Sequence, residues 1–413
     1  MLSFLLRRLL YGVTVLFGVV TLVFFLFTLV PDPARELAGQ SESEDVIAAI
    51  RRKFSLDLPA TDRYLLFLND VSPISRHSLD EASRTWRAED ELAAVTLHSG
   101  ENYRWVVKWP YLGRSWITGK GVGALLSESM PATFLLALVA MTFALVIGSA
   151  LGLVSALRKD SALDRFILVT ASIGMSGPSF FTAILIAWLF GYVWFAQVPV
   201  SLWFVLPMVL LPSLSRMVGK RGVQWWIAGV CSGVFFWSLS RMVDGWPVVS
   251  FALPGTGLPM SGSLYEVDVW KGEQLALQHL LLPALTLGIR PLAVIAQLMR
   301  NSALEVMSHD YVRTARAKGL SETAVITRHV VRNALNPVIT AASGWLASML
   351  AGAVFVEFVF GWKGLGMEMF RSLEKNDLPV VMGAVMVVAT VFVVVNTLVD
   401  IVYGWIDPRV RMG

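Results

Sequence analysis

Long apolar runs alternate with short charged turns along this chain. Leu9 to Val30 is apolar almost throughout, preceded by Arg7 and Arg8 and closed by Pro31-Asp32-Pro33. A spanning helix needs roughly 20 mostly apolar residues, so residues 1–30 read as a transmembrane anchor. The run is too long for a signal-peptide h-region, and no small-x-small cleavage site follows it. Similar runs at Pro131–Leu157, Phe166–Tyr192, His279–Leu298, Val338–Phe358 and Val380–Trp405 complete six core spans.

Two stretches break this rhythm. Residues 31–128 hold fifteen of the thirty acidic residues and no run long enough to span. They read as an external insertion domain, with apolar patches at Leu65-Leu66-Phe67-Leu68 and Trp105-Val106-Val107, or else as a floppy insertion. Residues 198–245 place Arg216, Lys220 and Arg221 between the apolar runs Ser201–Leu214 and Val223–Leu239. This pattern predicts an inserted hairpin of two spans. Pro207 and Pro212 in the shorter run leave a re-entrant hairpin as the alternative.

With eight spans, the main basic clusters fall on one side: Arg7/Arg8, Arg158/Lys159/Arg165, Arg216/Lys220/Arg221, the 300–336 loop and Arg409/Arg411. Cytoplasmic loops carry the excess of lysine and arginine, so both termini are expected in the cytoplasm and residues 31–128 outside. The core then runs from residue 129 to 413.

Composition agrees: 55% hydrophobic and 15% charged residues, where a soluble domain carries about a quarter charged. The balance excludes a soluble enzyme and a disordered chain, and a net charge of +4 does not suggest a nucleic-acid binder. The lone Cys231 cannot form an intrachain disulfide, and no Cys/His cluster has zinc spacing. An all-α polytopic membrane protein is the expected class.

The longest inside segment, Arg300 to Asn336, reads as helix, break, helix. Arg313, Arg316 and Lys318 gather near the C-terminal end of the first helix, where the dipole favours cations. Gly319 suits the C-terminal cap, and Ser321 can cap the second helix with Glu322 in its first turn. Such a basic elbow has the shape of a docking surface for a cytoplasmic partner, although many inside loops are merely basic and helical. Both ends are tied into spans, which excludes a DNA-reading helix-turn-helix.

At these residues the chain resembles a known family. YVRTARAKGL (Tyr311–Leu320) and RHVVRNALNPV (Arg328–Val338) are similar to the permease subunits of bacterial peptide-type ABC importers, most like the B-type subunit of dipeptide/oligopeptide permeases. SGPSFF (Ser176–Phe181), EFVFGWKGLG (Glu357–Gly366), NTLVDIVYGWIDPRVR (Asn396–Arg411), Pro31-Asp32-Pro33 and Pro131-Ala132-Thr133 extend the likeness to about three quarters of the chain. It implies a type I ABC importer permease fold in the bacterial inner membrane. The expected partners are a second homologous permease, two cytoplasmic ATPase subunits, an external substrate-binding protein and the lipid bilayer. ATP would be used by the partner subunits, with no cofactor on this chain. The elbow would couple to the ATPases through Tyr311, Arg313, Thr314, Ala315, Ala317, Lys318, Gly319, Leu320 and Ser321. Arg313 replaces the acidic residue common in such loops, and Lys363 stands where the family commonly has proline.

Other signals carry less. Gly113 to Lys120 has the wrong spacing for a phosphate-binding loop and no Ser or Thr after Lys120. Gly174-Met175-Ser176-Gly177 with His279 superficially suggests an intramembrane serine protease, but small residues beside Pro178 equally serve helix packing and bending. Arg290 is the one clearly central charge. An arginine there costs about 2.5–3.5 kcal/mol on insertion scales, so it should face protein, water or solute. Arg290, Ser176 and Pro178 are the candidate pathway residues, with an Arg290–Asp400 ion pair as the alternative for Arg290. A stand-alone secondary transporter or channel would carry more intramembrane ionisable groups.

Overall fold

The computed structural model describes residues 2–28, 33–38, 43–81, 83–87, 94–196, 198–201, 206–208, 210–212, 223–242, 250–268 and 272–406. It divides into two compact units, Met1–Ala183 with Gly262–Gly413, and Ile184–Ser261.

In chain order the elements begin with α1 (Leu2–Thr28), α2 (Pro33–Ala38), α3 (Glu44–Lys53), α4 (Ala60–Val71), β1 (Ile74–Ser78), β2 (Val95–Ser99) and β3 (Tyr103–Val107). They continue with α5 (Val122–Leu157), α6 (Ala162–Ser176), α7 (Ser179–Ile186), β4 (Val198–Ser201), α8 (Val223–Met242), β5 (Ser250–Leu253), β6 (Tyr265–Asp268) and β7 (Gly272–Leu275). The last are α9 (Gln278–Ser308), α10 (Asp310–Ala317), α11 (Glu322–Val325), α12 (Arg332–Phe360), α13 (Leu365–Glu374) and α14 (Leu378–Ile406). The chain is mostly helical, as expected, and its described residues add three small antiparallel sheets: β1-β3-β2, β4-β5 and β6-β7.

All six expected core positions are helical. Among the described residues α5, α9 and α14 can each cross a membrane by length and composition. Counting as one span each the bent pair α6–α7 and the segment Glu322–Phe360, which bends between Leu350 and Gly352 inside α12, raises the number to five. Helix α1 has 27 residues, of which Leu10–Leu26 is the apolar stretch. The third span is broken rather than continuous. Pro178 biases the residue before it away from helical angles, and Gly177 is extended at φ −72°, ψ 136°. In the smaller unit, Trp225–Leu239 is a shorter apolar helix within α8. The other limb of the expected hairpin, Ser201–Leu214, and its basic loop lie largely outside the described residues.

The centre of the larger unit is the seam between α5 and α9. Thr133, Ala137, Ala140, Ala144, Gly148, Gly152 and Ser155 recur every three or four residues and form one buried stripe on α5. Gly288, Ile295, Ala296, Met299 and Ala303 are buried on α9. Lipid tails are as apolar as leucine, so van der Waals contact rather than water exclusion favours association in a bilayer. Small residues serve this by letting backbones approach. A Cβ on Gly152 would lie 2.3 Å from the Ala296 carbonyl oxygen, one on Gly148 2.8 Å from that of Leu292, and one on Gly288 2.8 Å from that of Ala140. The α9 helix then packs against α6 and α12, and α14 packs against α12 and α1.

A buried knot ties the end of α12 to α13 and α5. Gly361 caps α12 in the left-handed region at φ 65°. The turn brings the Glu357 carboxylate to the Thr133 hydroxyl, which donates at 2.5 Å, and to the Met367 amide, which donates at 3.0 Å. The Leu365 amide donates to Thr133 Oγ1 at 2.7 Å, and the Trp362 indole donates to the Ala132 carbonyl at 3.2 Å. Glu357 and Trp362 are fully buried, while Lys363 at the tip is exposed. The turn therefore forms without the proline common there in the resembling family.

The described residues between 33 and 121 carry α2–α4 and the β1-β3-β2 sheet. Only Val106 of the apolar patches expected there is fully buried, and Leu65 is 62% exposed. Polar contacts hold this region instead. Arg84 pairs with Asp57 at 2.8 Å and Arg87 with Asp70 at 2.7 Å. The Lys108 ammonium donates to the Asp70 carbonyl, and His77 bonds Ser75 Oγ and the Thr85 carbonyl, both at 2.9 Å. Phe67 stacks on Phe24 of α1 at 5.7 Å, and Thr21 and Tyr64 share a 2.6 Å hydrogen bond. The subdomain is thereby seated against the end of α1.

Burial lowers the Lys108 pKa to about 8. Its folded pKa lies below the unfolded one, so the unfolded chain binds the extra proton between about pH 8 and 10.5 and stability rises with pH there. Hydrogen-exchange protection of β1–β3, corrected for intrinsic rates, should increase from pH 8 to 10. In Lys108→Met this rise should flatten and protection at pH 7 be no lower, because the Tyr111 amide still donates to the Asp70 carbonyl.

Candidate functional site

The elbow begins where α9 ends. His309 adopts extended angles (φ −71°, ψ 148°) and opens α10, which presents two different faces. Val312 and Ala315 are buried, whereas Tyr311, Arg313, Thr314, Arg316, Ala317 and Lys318 are exposed. Gly319 then turns the chain at φ 76°, a conformation that favours glycine. Its amide donates to the Arg316 carbonyl at 3.0 Å. Ser321 caps α11, accepting from the Ala324 amide at 3.4 Å, and Arg316 grips Glu322 through Nε at 3.1 Å and Nη2 at 2.7 Å. Helix α11 passes through the π-helical turn Ile326–Val331 into α12, with Val325 and Val330 buried.

The structure thus leaves Tyr311, Arg313, Thr314, Ala317, Lys318, Gly319, Leu320 and Ser321 all exposed along the elbow. Ala315 differs: it is 5% exposed and belongs to the inward face. The root of the elbow is clamped by a contact that sequence reasoning missed. Arg300, near the end of α9, reaches both oxygens of Asp164 at 2.8 Å, and Asp164 also accepts from Ser155 Oγ and the Asp160 amide. Asp164 is 2% exposed and Arg300 15%. Two charges withdrawn from water hold position only when so fully paired. The pair joins α5, α6 and α9 where the elbow leaves the bundle.

The second candidate is a cavity of about 100 Å³ between the α6–α7 break, α9 and α12. Among the described residues Arg290 is the one charged residue of its lining, beside Thr182, Ser179, Ser348, Trp345 and the glycines 174, 177 and 352. Arg290 is exposed and has no carboxylate partner among the described residues, and the Asp400 side chain lies outside them. Ser176 and Pro178 are exposed but do not line this cavity. The Ser176 hydroxyl donates to the Ser172 carbonyl at 2.8 Å, and the buried His279 ring packs against Gly262. A nucleophile–base pair is not assembled from these two residues. Gly113 and Gly119 each turn the chain at positive φ in a hairpin whose Ser115 hydroxyl and Trp116 amide donate to Asp377. That loop is structural.

Long apolar helices with an exposed basic elbow between two of them are the architecture of a polytopic membrane component. The chain belongs to the family described as binding-protein-dependent transport system inner membrane component, whose pattern matches residues 148–412, with the family's N-terminal component pattern matching residues 1–82. It is 32% identical over 414 residues to the di/tripeptide transport system permease protein DppB of Pseudomonas aeruginosa, covering 100% of this chain and 99% of that protein. It is 30% identical over 412 residues to the dipeptide transport system permease protein DppB of Alkalihalophilus pseudofirmus, covering 100% of both. The probable D,D-dipeptide transport system permease protein DdpB of Escherichia coli is 31% identical, over 97% of this chain and 95% of that one.

Proposed function

We propose that this chain is the membrane permease of an ATP-driven importer for di- and oligopeptides or similar solutes, and that it hydrolyses no ATP itself. The end-to-end similarity to dipeptide and di/tripeptide permeases carries the substrate class. A second permease completes the pathway, two cytoplasmic ATPases supply the stroke, and an external binding protein delivers the peptide. Both termini and the elbow lie in the cytoplasm, on the side of the basic clusters, and residues 31–128 face outward.

The exposed surface of α10 and Gly319 is the ATPase contact in this reading. ATP-driven closure of the ATPases moves the elbow, and the Asp164–Arg300 clamp passes the motion to α5, α6 and α9 together. Such rigid-body motion switches a bundle between two openings. In the cleft, Arg290 supplies a cation for the peptide's carboxylate as it passes, while Thr182 and Ser348 offer neutral hydrogen-bond partners.

The test is uptake of a labelled dipeptide by cells that depend on this chain. Arg290→Gln should lower uptake by about ten- to a hundredfold, the worth of a hydrogen bond to a charged group. ATPase co-purification should be unchanged, and a C-terminally amidated dipeptide should lose far less. Undiminished uptake of the free-carboxylate peptide would remove Arg290 from the pathway. Absence of dipeptide uptake by the wild-type system would remove the substrate class.

A further inference from the structure

A cavity of about 200 Å³ lies where the C-terminal end of α1 and the N-terminal end of α14 meet the 33–121 subdomain. Its floor is apolar: Phe24, Phe54, Phe67, Trp116, Leu378 and Met382. Three guanidinium groups, those of Arg63, Arg84 and Arg87, also line it. Two of them already face a carboxylate, Arg84 that of Asp57 at 2.8 Å and Arg87 that of Asp70 at 2.7 Å, although the Arg87 Nε is itself buried without a partner. Arg63 has no carboxylate or hydrogen-bond acceptor among the described residues, and its Nε is buried without a partner. A buried polar group left unpaired is costly, so this position is set up for an anion from outside the chain. Arg63, Phe67 and Asp70 follow at helical spacing on the one face of α4 that looks into the cavity.

The surroundings say what else the anion carries. Helix α14 is long and apolar enough to cross a membrane, α1 carries the apolar stretch Leu10–Leu26, and next to the buried Phe24 stand Phe25, 49% exposed, and Leu26, 55% exposed. An apolar face therefore runs from the cavity onto the outer side of α1. The volume admits a phosphate and the first carbons beyond it, but not two acyl chains. A cation at the end of two apolar helices, over an aromatic floor open to an apolar helix face, matches the polarity of a phospholipid from phosphate to tail.

We propose that this cavity binds an anionic phospholipid, its phosphate on Arg63 and the start of an acyl chain against Phe24, Phe67 and Met382. The lipid supplies the missing counter-charge and fastens the subdomain to the bilayer beside α1 and α14. The site is separate from the Arg290 cleft and does not depend on the transported solute.

Full-length chain in nanodiscs of phosphatidylcholine doped with phosphatidylglycerol, transferred to mild detergent and examined by native mass spectrometry, tests this. Wild type should retain phosphatidylglycerol in preference to phosphatidylcholine. Arg63→Gln should weaken retention about tenfold, and Phe67→Ala should weaken it as well. Arg76→Gln should bind like wild type, because that guanidinium sits over the Tyr103 ring at 4.1 Å and outside the cavity. Equal retention of the two lipids by wild type would overturn the proposal without any variant. So would unchanged retention in Arg63→Gln, or displacement of the lipid by inorganic phosphate alone, which would make this a free-anion site.

Discussion

Gly152→Val is expected to leave almost no folded chain in the membrane. A side chain at this position meets backbone, the Ala296 carbonyl oxygen 2.3 Å away and its carbon 3.1 Å away, together with Met299 Cβ at 2.8 Å. None of these is the far end of a flexible group, so α5 and α9 must move apart. Separation costs more here than in a soluble core. The helices gain nothing from excluding water and rely on close contact along the whole stripe, and Gly148 and Gly288 lose their own contacts as Gly152 is forced away. Overpacking of a tight core typically costs about 1–3 kcal/mol, and loss of the shared seam adds to that. Gly152→Ala should show the same defect more mildly. Gly123→Ala in the same helix should behave like wild type, because nothing lies within 4 Å of its added Cβ. Chain accumulating in the membrane fraction, and its melting in detergent, give the readout. Normal amounts of Gly152→Val with unchanged melting would mean that the seam is not what holds the bundle together.

The spans were legible because their signal is one-dimensional. A run such as Val380–Trp405 must be helical to satisfy its backbone in lipid, whatever it packs against. The elbow was legible for a similar reason, since Gly319 and Ser321 act on their immediate neighbours. Less visible were contacts that depend on two distant residues meeting. Glu357 and Thr133 are 224 residues apart, yet Glu-Phe-Val-Phe-Gly and Pro131-Ala132-Thr133 are two sides of one knot. Each stands out as a motif in the sequence, and neither alone reveals its partner. The Asp164–Arg300 clamp spans 136 residues in the same way. A cue existed in Asp164, which with Asp160 puts two acids beside Arg158, Lys159 and Arg165 just before an apolar helix. Ala315 shows the converse limit: motif position groups it with Thr314, whereas the helical period turns it inward with Val312, three residues before. In the 33–121 subdomain the apolar count foretold a small fold, but arginine–carboxylate pairs and the β1-β3-β2 sheet hold it. Such pairs leave no periodic trace in sequence.

Gly319→Pro should leave the permease in the membrane and uncouple it from its ATPase. Proline fixes φ near −65°, whereas Gly319 stands at φ 76°, and the substitution also removes the amide that donates to the Arg316 carbonyl. The turn must therefore open. Arg316 then loses its register with Glu322, and the exposed row from Tyr311 to Ser321 loses its arrangement. The α5–α9 seam and the Glu357 knot share no residue with this turn, so the bundle should melt as wild type does. Co-purified ATPase should fall about tenfold or more, since removal of a central contact from an interface typically costs at least 1–2 kcal/mol. ATP-dependent peptide uptake should fall with it. Gly319→Ala keeps the amide and faces only the left-handed strain of about 1 kcal/mol, so it should retain part of both. Arg316→Ala should resemble Gly319→Ala rather than Gly319→Pro, because an exposed ion pair contributes little by itself. ATPase co-purifying undiminished with Gly319→Pro would place the coupling surface elsewhere, and a parallel loss of melting temperature would make the turn a folding element instead.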